Sequence, residues 1–325
     1  MMDISVIIVN YHSAKMVMDC INSIYSQTRG ASFEIIVVDN ASGDGSVELL
    51  RETFGEKITV IASPENLGFG RANNLGAAQA KGKYLFLLNP DTLLVNDALG
   101  ILRDYLEEHP GTGVAGGNLY SPDMAPTPSF CREFDDLKLE KQRASWGKLL
   151  GDRVRAKLGM GQNAPMREFN HTDAPEKVAY IFGADMMLPR AVFERAGGFD
   201  PDFFMYGEEE ELTWRITRLG YDAVCVPQAK IIHLEGATLS ADHSFNPRQF
   251  KMRMNGTLTY FYKRFGPDGA KNCFRLRARR YDRILKIAKL QGKYRPDMTV
   301  QLQKQCLEEA WQEFKYKGDN GHGRG

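Results

Sequence analysis

Tyr84-Leu85-Phe86-Leu87-Leu88-Asn89-Pro90-Asp91 is the stretch on which the fold turns. Five consecutive apolar residues suit a strand buried on both faces, and Asn, Pro and Asp then end it. A carboxylate at the carboxyl end of such a strand is well placed to hold a hard divalent cation, which neutralises a diphosphate. An ordinary turn uses the same three residue types. Working outward, similar β-branched runs occur at 4–9, 34–38, 58–62 and 113–119, separated by helical patterns at 14–27, 46–54, 70–80 and 97–108. That alternation predicts an α/β fold, a parallel sheet covered by helices, of a nucleotide-binding type. Ligands of open sheets bind beyond the carboxyl ends of the strands. Asn10-Tyr11, Asp39-Asn40 and Asn89-Pro90-Asp91 are therefore expected to converge on one edge.

Downstream, residues 120–177 lose the strand pattern and carry five prolines, which reads as an insertion or mobile loop, partly helical around 136–157. Order returns at 178–182, with a helix from Pro189, the Gly197-Gly198-Phe199-Asp200 turn, a helix at 208–218 and strand-like runs at 223–226 and 229–232. Beyond about 245 the pattern is helical. The expected organisation is a catalytic domain at 1–245 and a helical extension at 246–325, with a polar, disordered tail from about 318.

The 325 residues include 43% hydrophobic and 26% charged residues, and no apolar run approaches the roughly 18 residues of a spanning helix. Residues 1–10 lack a basic region and a cleavage site, so they read as a buried strand rather than a signal peptide, and a cytoplasmic protein is expected. Five widely spaced cysteines without a C-x-x-C pair argue against a disulfide framework or a zinc knuckle.

Several residues are candidates for chemistry. Asp39 can accept from the ring N–H of a pyrimidine, with Asn10 and Tyr11 packing on the same base; helix capping is a duty already covered by Ser42 or Asp44. The turn Asn66-Leu67-Gly68-Phe69-Gly70-Arg71-Ala72-Asn73-Asn74 can present backbone N–H groups and Arg71 to phosphate, or simply turn. In 206–220, the apolar stripe Leu212, Ile216 and Leu219 turns Glu208 and Glu209 toward the buried face, at about 100° per residue. The same wheel points Glu210 to solvent and pairs Glu211 with Arg215. His233 can complete a metal site with Asp91, although a lone His is more often structural.

Taken in order, these segments resemble family-2 glycosyltransferases, especially the bacterial branch of rhamnosyltransferases and related surface-polysaccharide enzymes. The series runs Val6-Ile7-Ile8-Val9-Asn10-Tyr11, Val37-Val38-Asp39-Asn40-Ala41-Ser42, the 66–74 turn, Leu87-Leu88-Asn89-Pro90-Asp91, Gly183-Ala184-Asp185, Gly197-Gly198-Phe199-Asp200, Phe203-Phe204-Met205-Tyr206-Gly207-Glu208 and His233. The resemblance implies a GT-A fold, an α/β Rossmann-like mixed, mostly parallel sheet flanked by helices, with a nucleotide-diphosphate sugar donor (dTDP-rhamnose or a UDP-sugar), Mn²⁺ or Mg²⁺, and inversion at the anomeric carbon. It puts Val9, Asn10, Tyr11, Asp39, Asn66, Gly70, Arg71, Asn73, Asn89 and Asp91 around the donor, and Asp91 and His233 on the metal. It also puts Asp185 and Tyr206 in the sugar or acceptor pocket and Glu208-Glu209 at the catalytic position. The family commonly has Glu-Asp there, so Glu209 stands where an Asp serves as base, and Asn89 replaces the first Asp of D-x-D. A saccharide or lipid-linked saccharide acceptor, a peripheral place on the cytoplasmic face of the inner membrane, and a homodimer are compatible with this reading.

Two other classes compete. Sugar nucleotidyltransferases carry a Gly-rich basic segment after the first strand, where this chain has Asn10-Tyr11-His12-Ser13-Ala14-Lys15. A non-catalytic glycan-binding or scaffold descendant would be favoured had Asp91, Glu208 and Glu209 lost their acidity. Lys+Arg number 42 against 41 Asp+Glu, which excludes a uniformly basic protein, yet residues 271–297 hold ten basic and two acidic residues. With Phe274, Tyr281, Leu285 and Ala288 at helical spacing, that segment reads as a basic amphipathic helix on an anionic membrane, or as a solvated helix packed on the catalytic domain. No nucleic-acid partner is expected.

Overall fold

A computed structural model of the chain describes residues 2–157, 167–234, 245–290 and 298–321. Compact contacts divide it into two units, one within 1–134, 166–204 and 208–242, the other within 135–165, 205–207 and 243–325.

The first unit begins as the sequence suggests. Strands β1 (Ile4–Asn10), β2 (Phe33–Asp39) and β3 (Thr59–Ala62) alternate with helices α1 (Ala14–Gln27), α2 (Ser46–Phe54) and α3 (Phe69–Ala77). Next come β4 (Tyr84–Leu88), β5 (Thr92–Leu94), α4 (Ala98–Glu108) and β6 (Thr112–Tyr120). Helix α1 buries Val17, Cys20, Ile21 and Ile24, the i, i+3, i+4, i+7 stripe that fixes which face meets the sheet. Strand β4 is buried along its whole length, as the continuous apolar run requires. Its Leu and Phe side chains each contribute about 1.5–3 kcal/mol through burial.

Residues 120–177, expected as an insertion, hold β7 (Phe130–Cys131), α5 (Leu137–Arg143), α6 (Trp146–Lys157), β8 (Arg167–Glu168) and β9 (Glu176–Val178). Residues 135–157 group with the C-terminal helices rather than with the sheet. The chain then forms β10 (Tyr180–Ile181), β11 (Asp185–Pro189), α7 (Arg190–Ala196), α8 (Glu208–Arg218) and β12 (Asp222–His233). The two runs expected at 223–226 and 229–232 are thus one strand, whose pairing with β6 shifts register between Cys225 and Lys230.

The main sheet has the order β3-β2-β1-β4-β11-β6-β12-β5, with β9 also paired to β12, and β10-β7-β8 form a small second sheet. Strands β1 to β4, β6 and β12 share one direction, while β5, β9 and β11 oppose it. The mixed, mostly parallel sheet expected from the sequence is present. All five cysteines are buried and none forms a disulfide.

The second unit is helical: α5 and α6, α9 (Pro247–Leu290) and α10 (Met298–Gly321). Helix α9 is broken at Gly266, whose φ of 71° is left-handed, and Pro267 starts the next turn, where its missing N–H costs nothing. Met254, Leu258, Leu307 and Ala310 form its core. The tail expected from 318 is helical as far as Gly321. Residues 322–325, Glu235-Gly236 after His233, and Lys293 and Arg295 lie outside the described residues.

Candidate functional site

Strand register brings the expected residues to one edge. Asn10 pairs with Asp39 across β1 and β2, and Ile8 with Leu88 across β1 and β4, so all three strands end together. Asn10 and Asp39 are buried there and locked to each other. Asn10 Nδ2 donates to Asp39 Oδ2 at 2.7 Å, and the Ser42 N–H donates to Asp39 Oδ1 at 3.1 Å. Asn10 Oδ1 in turn accepts from the Ser13 N–H and hydroxyl. Each carboxylate oxygen of Asp39 thus keeps a lone pair for a further donor. Half-buried Val9 precedes this pair and Tyr11 follows it, 48% exposed at the mouth of the strand ends. Ala41 holds a left-handed φ of 63°, a strained non-glycine conformation of the kind that clusters at functional sites.

The 66–74 turn is tied to this edge by Asn40, a buried side chain expected at the edge but given no role of its own by the sequence reading. Its Nδ2 donates to Asn66 Oδ1 and the Gly68 carbonyl, and its Oδ1 accepts from the Leu67 N–H at 2.7 Å. The glycines here serve packing. A Cβ on Gly68 would meet the Phe204 carbonyl and one on Gly70 the Phe199 ring. Arg71 Nε donates to the Leu67 carbonyl, and buried Asn73 donates to the Phe69 carbonyl. Gly70 and Asn73, expected around the donor, thus have internal duties.

The fold brings Asp91 and His233 together from far apart in the sequence. Strand β5, which the sequence reading missed because it is only three residues long, returns antiparallel along β12 and sets Thr92 opposite His233. Asp91 Oδ1 consequently lies 3.4 Å from His233 Nε2, and the Leu234 N–H donates to the Asp91 carbonyl at 2.8 Å. No cluster of three or more His, Cys, Asp or Glu side chains suited to a metal occurs among the described residues. One carboxylate oxygen and one imidazole nitrogen nevertheless fit an Mn²⁺ or Mg²⁺ ion that takes its remaining ligands from phosphate and water.

Segment 183–185 links this pair to the acidic helix. The Asn89 N–H donates to the Ala184 carbonyl at 2.9 Å, and a Cβ on Gly183 would sit 3.8 Å from Glu209 Cβ. In α8 itself, Glu208 is buried and Glu209 half-buried, as the wheel predicts. Glu210 corrects the wheel: it is buried, not solvent-facing, because a second face of α8 packs against β10. Glu211 pairs with Arg215 as expected, but the bond is buried at Glu211 and bidentate, and Arg215 also donates to the Ala196 and Gly198 carbonyls. Glu208 Oε2 is buried without a hydrogen-bond partner, and burial, then the neighbouring Glu209 charge, pushes its carboxyl well above the usual range.

Asp185, expected to line a pocket, has no exposed surface. Its Oδ2 accepts from the Gly117 N–H at 2.6 Å and its Oδ1 is unpartnered, so it braces β6. Burial holds its carboxyl well above its ordinary value of 3.8, the backbone bond opposing weakly. A raised folded value stabilises the fold fully below pH 3.8 and less as pH climbs toward that value. Relative to wild type, Asp185→Asn should therefore gain about 1.4 kcal/mol per pH unit between the unfolded-state value and the raised folded one, and level off beyond it. Urea denaturation at a series of pH values checks this; a pH-independent difference contradicts it. Tyr206, also expected in the acceptor pocket, belongs to the helical unit. Its hydroxyl accepts from Gln249 Nε2 at 2.9 Å, Arg253 lies 5.0 Å over its ring, and its φ of 73° is left-handed.

A family model described as Glycosyl transferase family 2 matches residues 5–164. The O-antigen biosynthesis protein RfbC of Myxococcus xanthus is 25% identical over 223 residues, which cover 68% of this chain and 16% of that protein. The N-acetylglucosaminyl-diphospho-decaprenol L-rhamnosyltransferase of Mycobacterium tuberculosis is 23% identical over 219 residues, 64% of this chain and 68% of its own. Among solved structures, the mannosyltransferase PcManGT from Pyrobaculum calidifontis, in complex with GDP-Man and Mn²⁺, is similar at a TM-score of 0.54 and 16% identity, over 97% of this chain and 87% of its own.

Proposed function

The chain has a GT-A fold and carries a family 2 glycosyl transferase domain at residues 5–164, and on that footing we propose that it transfers a sugar, with inversion, from a nucleotide-diphosphate donor to a saccharide or lipid-linked saccharide in surface-polysaccharide synthesis in the cytoplasm. The observation that carries the reading is the meeting of Asp91 with His233 at the strand edge that also holds Asn10 and Asp39. The names of the rhamnosyltransferase and O-antigen relatives support the acceptor class.

In this reading Asp39 accepts from the base of the donor, and Tyr11 covers it. Asp91 and His233 hold Mn²⁺ or Mg²⁺; the bound cation supplies charge stabilisation to the departing diphosphate. The acceptor hydroxyl is a poor nucleophile at neutral pH, so Glu209 takes its proton as the new C–O bond forms. Burial, then the neighbouring Glu209 charge, favours the neutral form of Glu208 beside it. A single displacement needs one base and no covalent intermediate on the protein.

The testing experiment is a thermal-shift screen of UDP, dTDP and GDP sugars with and without Mn²⁺. A ligand at a hundred times its Kd stabilises by about 2.7 kcal/mol, a rise of several degrees in Tm. One nucleotide series should stand out, more so with Mn²⁺. Silence from all of them would favour a scaffold that has lost the activity.

A further inference from the structure

We infer that the helical unit carries a docking surface for anionic lipid bilayers, formed by a basic ridge on α9 and by Trp146 and Leu150 of α6. The inference goes beyond sugar transfer and holds whichever acceptor is used.

The eight basic residues of 271–290 divide: Arg277 and Arg283 are spent inside the unit, five others form a ridge, and exposed Arg280, near 180° from Lys271, points away from it. Arg277 is spent inside the unit: its Nη2 lies 2.8 Å from Oε1 of buried Glu140, a carboxylate that also takes Arg143 at 2.9 Å. Arg283 donates to the Ala144 carbonyl and lies 5.2 Å over the Trp146 ring. Lys271, Arg275, Arg279, Lys286 and Lys289 are exposed. With Lys271 as zero and about 100° per residue, they fall near 0°, 40°, 80°, 60° and 0°. Five cations therefore share a sector of about 80° along roughly 27 Å of helix. Asp282, near 20° in the same sector, pairs with Lys304 at 2.8 Å, a cation it shares with Glu308 at 3.5 Å. Asp268 is the remaining acid, at the N-terminal end of the ridge.

The apolar face of this helix is not available to lipid. Phe274 stacks on Trp311 at 4.8 Å, and Ala278 and Tyr281 pack against the cluster of Leu307 and Ala310. Bilayer binding is thus electrostatic along α9 rather than by insertion of its apolar stripe, as the sequence pattern had suggested. Apolar anchors come from α6 instead. Trp146 and Leu150, one turn apart, are 41% and 50% exposed. The contact with Arg283 sets Trp146 on the flank of the ridge. An exposed indole and a leucine beside a row of Lys and Arg match the headgroup region, where aromatic rings sit at the interface and cations meet anionic lipid. A nucleic acid would use the cations but has no use for Leu150.

The test is sedimentation of the full chain with vesicles of phosphatidylcholine alone or with phosphatidylglycerol, at low and high salt. Each basic residue near an anionic surface contributes about a fivefold factor in partitioning. The variant with Lys271→Gln, Arg275→Gln, Arg279→Gln and Lys286→Gln should partition at least about 100-fold more weakly, with an unchanged Tm. Trp146→Ser should weaken binding at both salt concentrations, since its contribution is not screened. Equal binding to neutral vesicles, wild-type partitioning by the fourfold variant, or tighter binding to duplex DNA than to anionic vesicles would each overturn the inference. No sugar donor is present, so its failure leaves the transfer reading intact, and the nucleotide screen fails or succeeds independently of it.

Discussion

Glu209→Gln is expected to cut sugar transfer by about 10²–10⁴-fold, the usual contribution of a positioned base, while donor affinity stays within a factor of about two. The amide keeps the size and polarity of the side chain but cannot take a proton. Single-turnover transfer and calorimetric donor binding separate the two quantities. Glu208 is the internal control: its Oε2 is buried without a partner and burial raises its carboxyl, so Glu208→Gln keeps the neutral form that burial favours and should leave far more activity. Glu209→Asp, which restores the carboxylate one methylene shorter, should recover transfer that Glu209→Gln loses. Undiminished turnover by Glu209→Gln would remove it as the base.

Asp91→Ala should abolish the Mn²⁺-dependent part of donor binding and lower transfer by about 10²-fold or more, because charge stabilisation of a leaving diphosphate amounts to several kcal/mol. His233→Ala should weaken the same cation response, since its Nε2 stands 3.4 Å from the Asp91 carboxylate. The readout is the Tm rise with donor, measured with and without Mn²⁺. A cation effect that survives both substitutions would assign the metal to other residues.

Much of the first half of the chain was legible because its strands are buried on both faces and its helices are amphipathic. Strand β4 and helix α1 need no knowledge of distant contacts. The coming together of Asp91 and His233 was legible as residue types but not as a distance, since it depends on β5, three residues whose strand state exists only through pairing with β12. Glu210 was misread because a helical wheel assumes one buried face, and α8 has two. Asp185 was read as a pocket residue from its motif; its burial is set by β6 crossing beside it. For the basic segment, composition counted charges correctly but could not see that Glu140 takes Arg277.

The Gly197-Gly198-Phe199-Asp200 turn is fastened on two sides. Asn74 donates to the Phe199 carbonyl and accepts from the Phe199 N–H, Gly70 leaves room for the Phe199 ring, and Arg215 holds the Ala196 and Gly198 carbonyls. The stretch around 66–74 and the neighbouring stretches around 196–204 and 208–215, remote from it in sequence, therefore behave as one exchangeable block. A chimera that imports only one of them from a relative inherits half of each handshake, so recombination meant to transplant substrate preference has to move all three together.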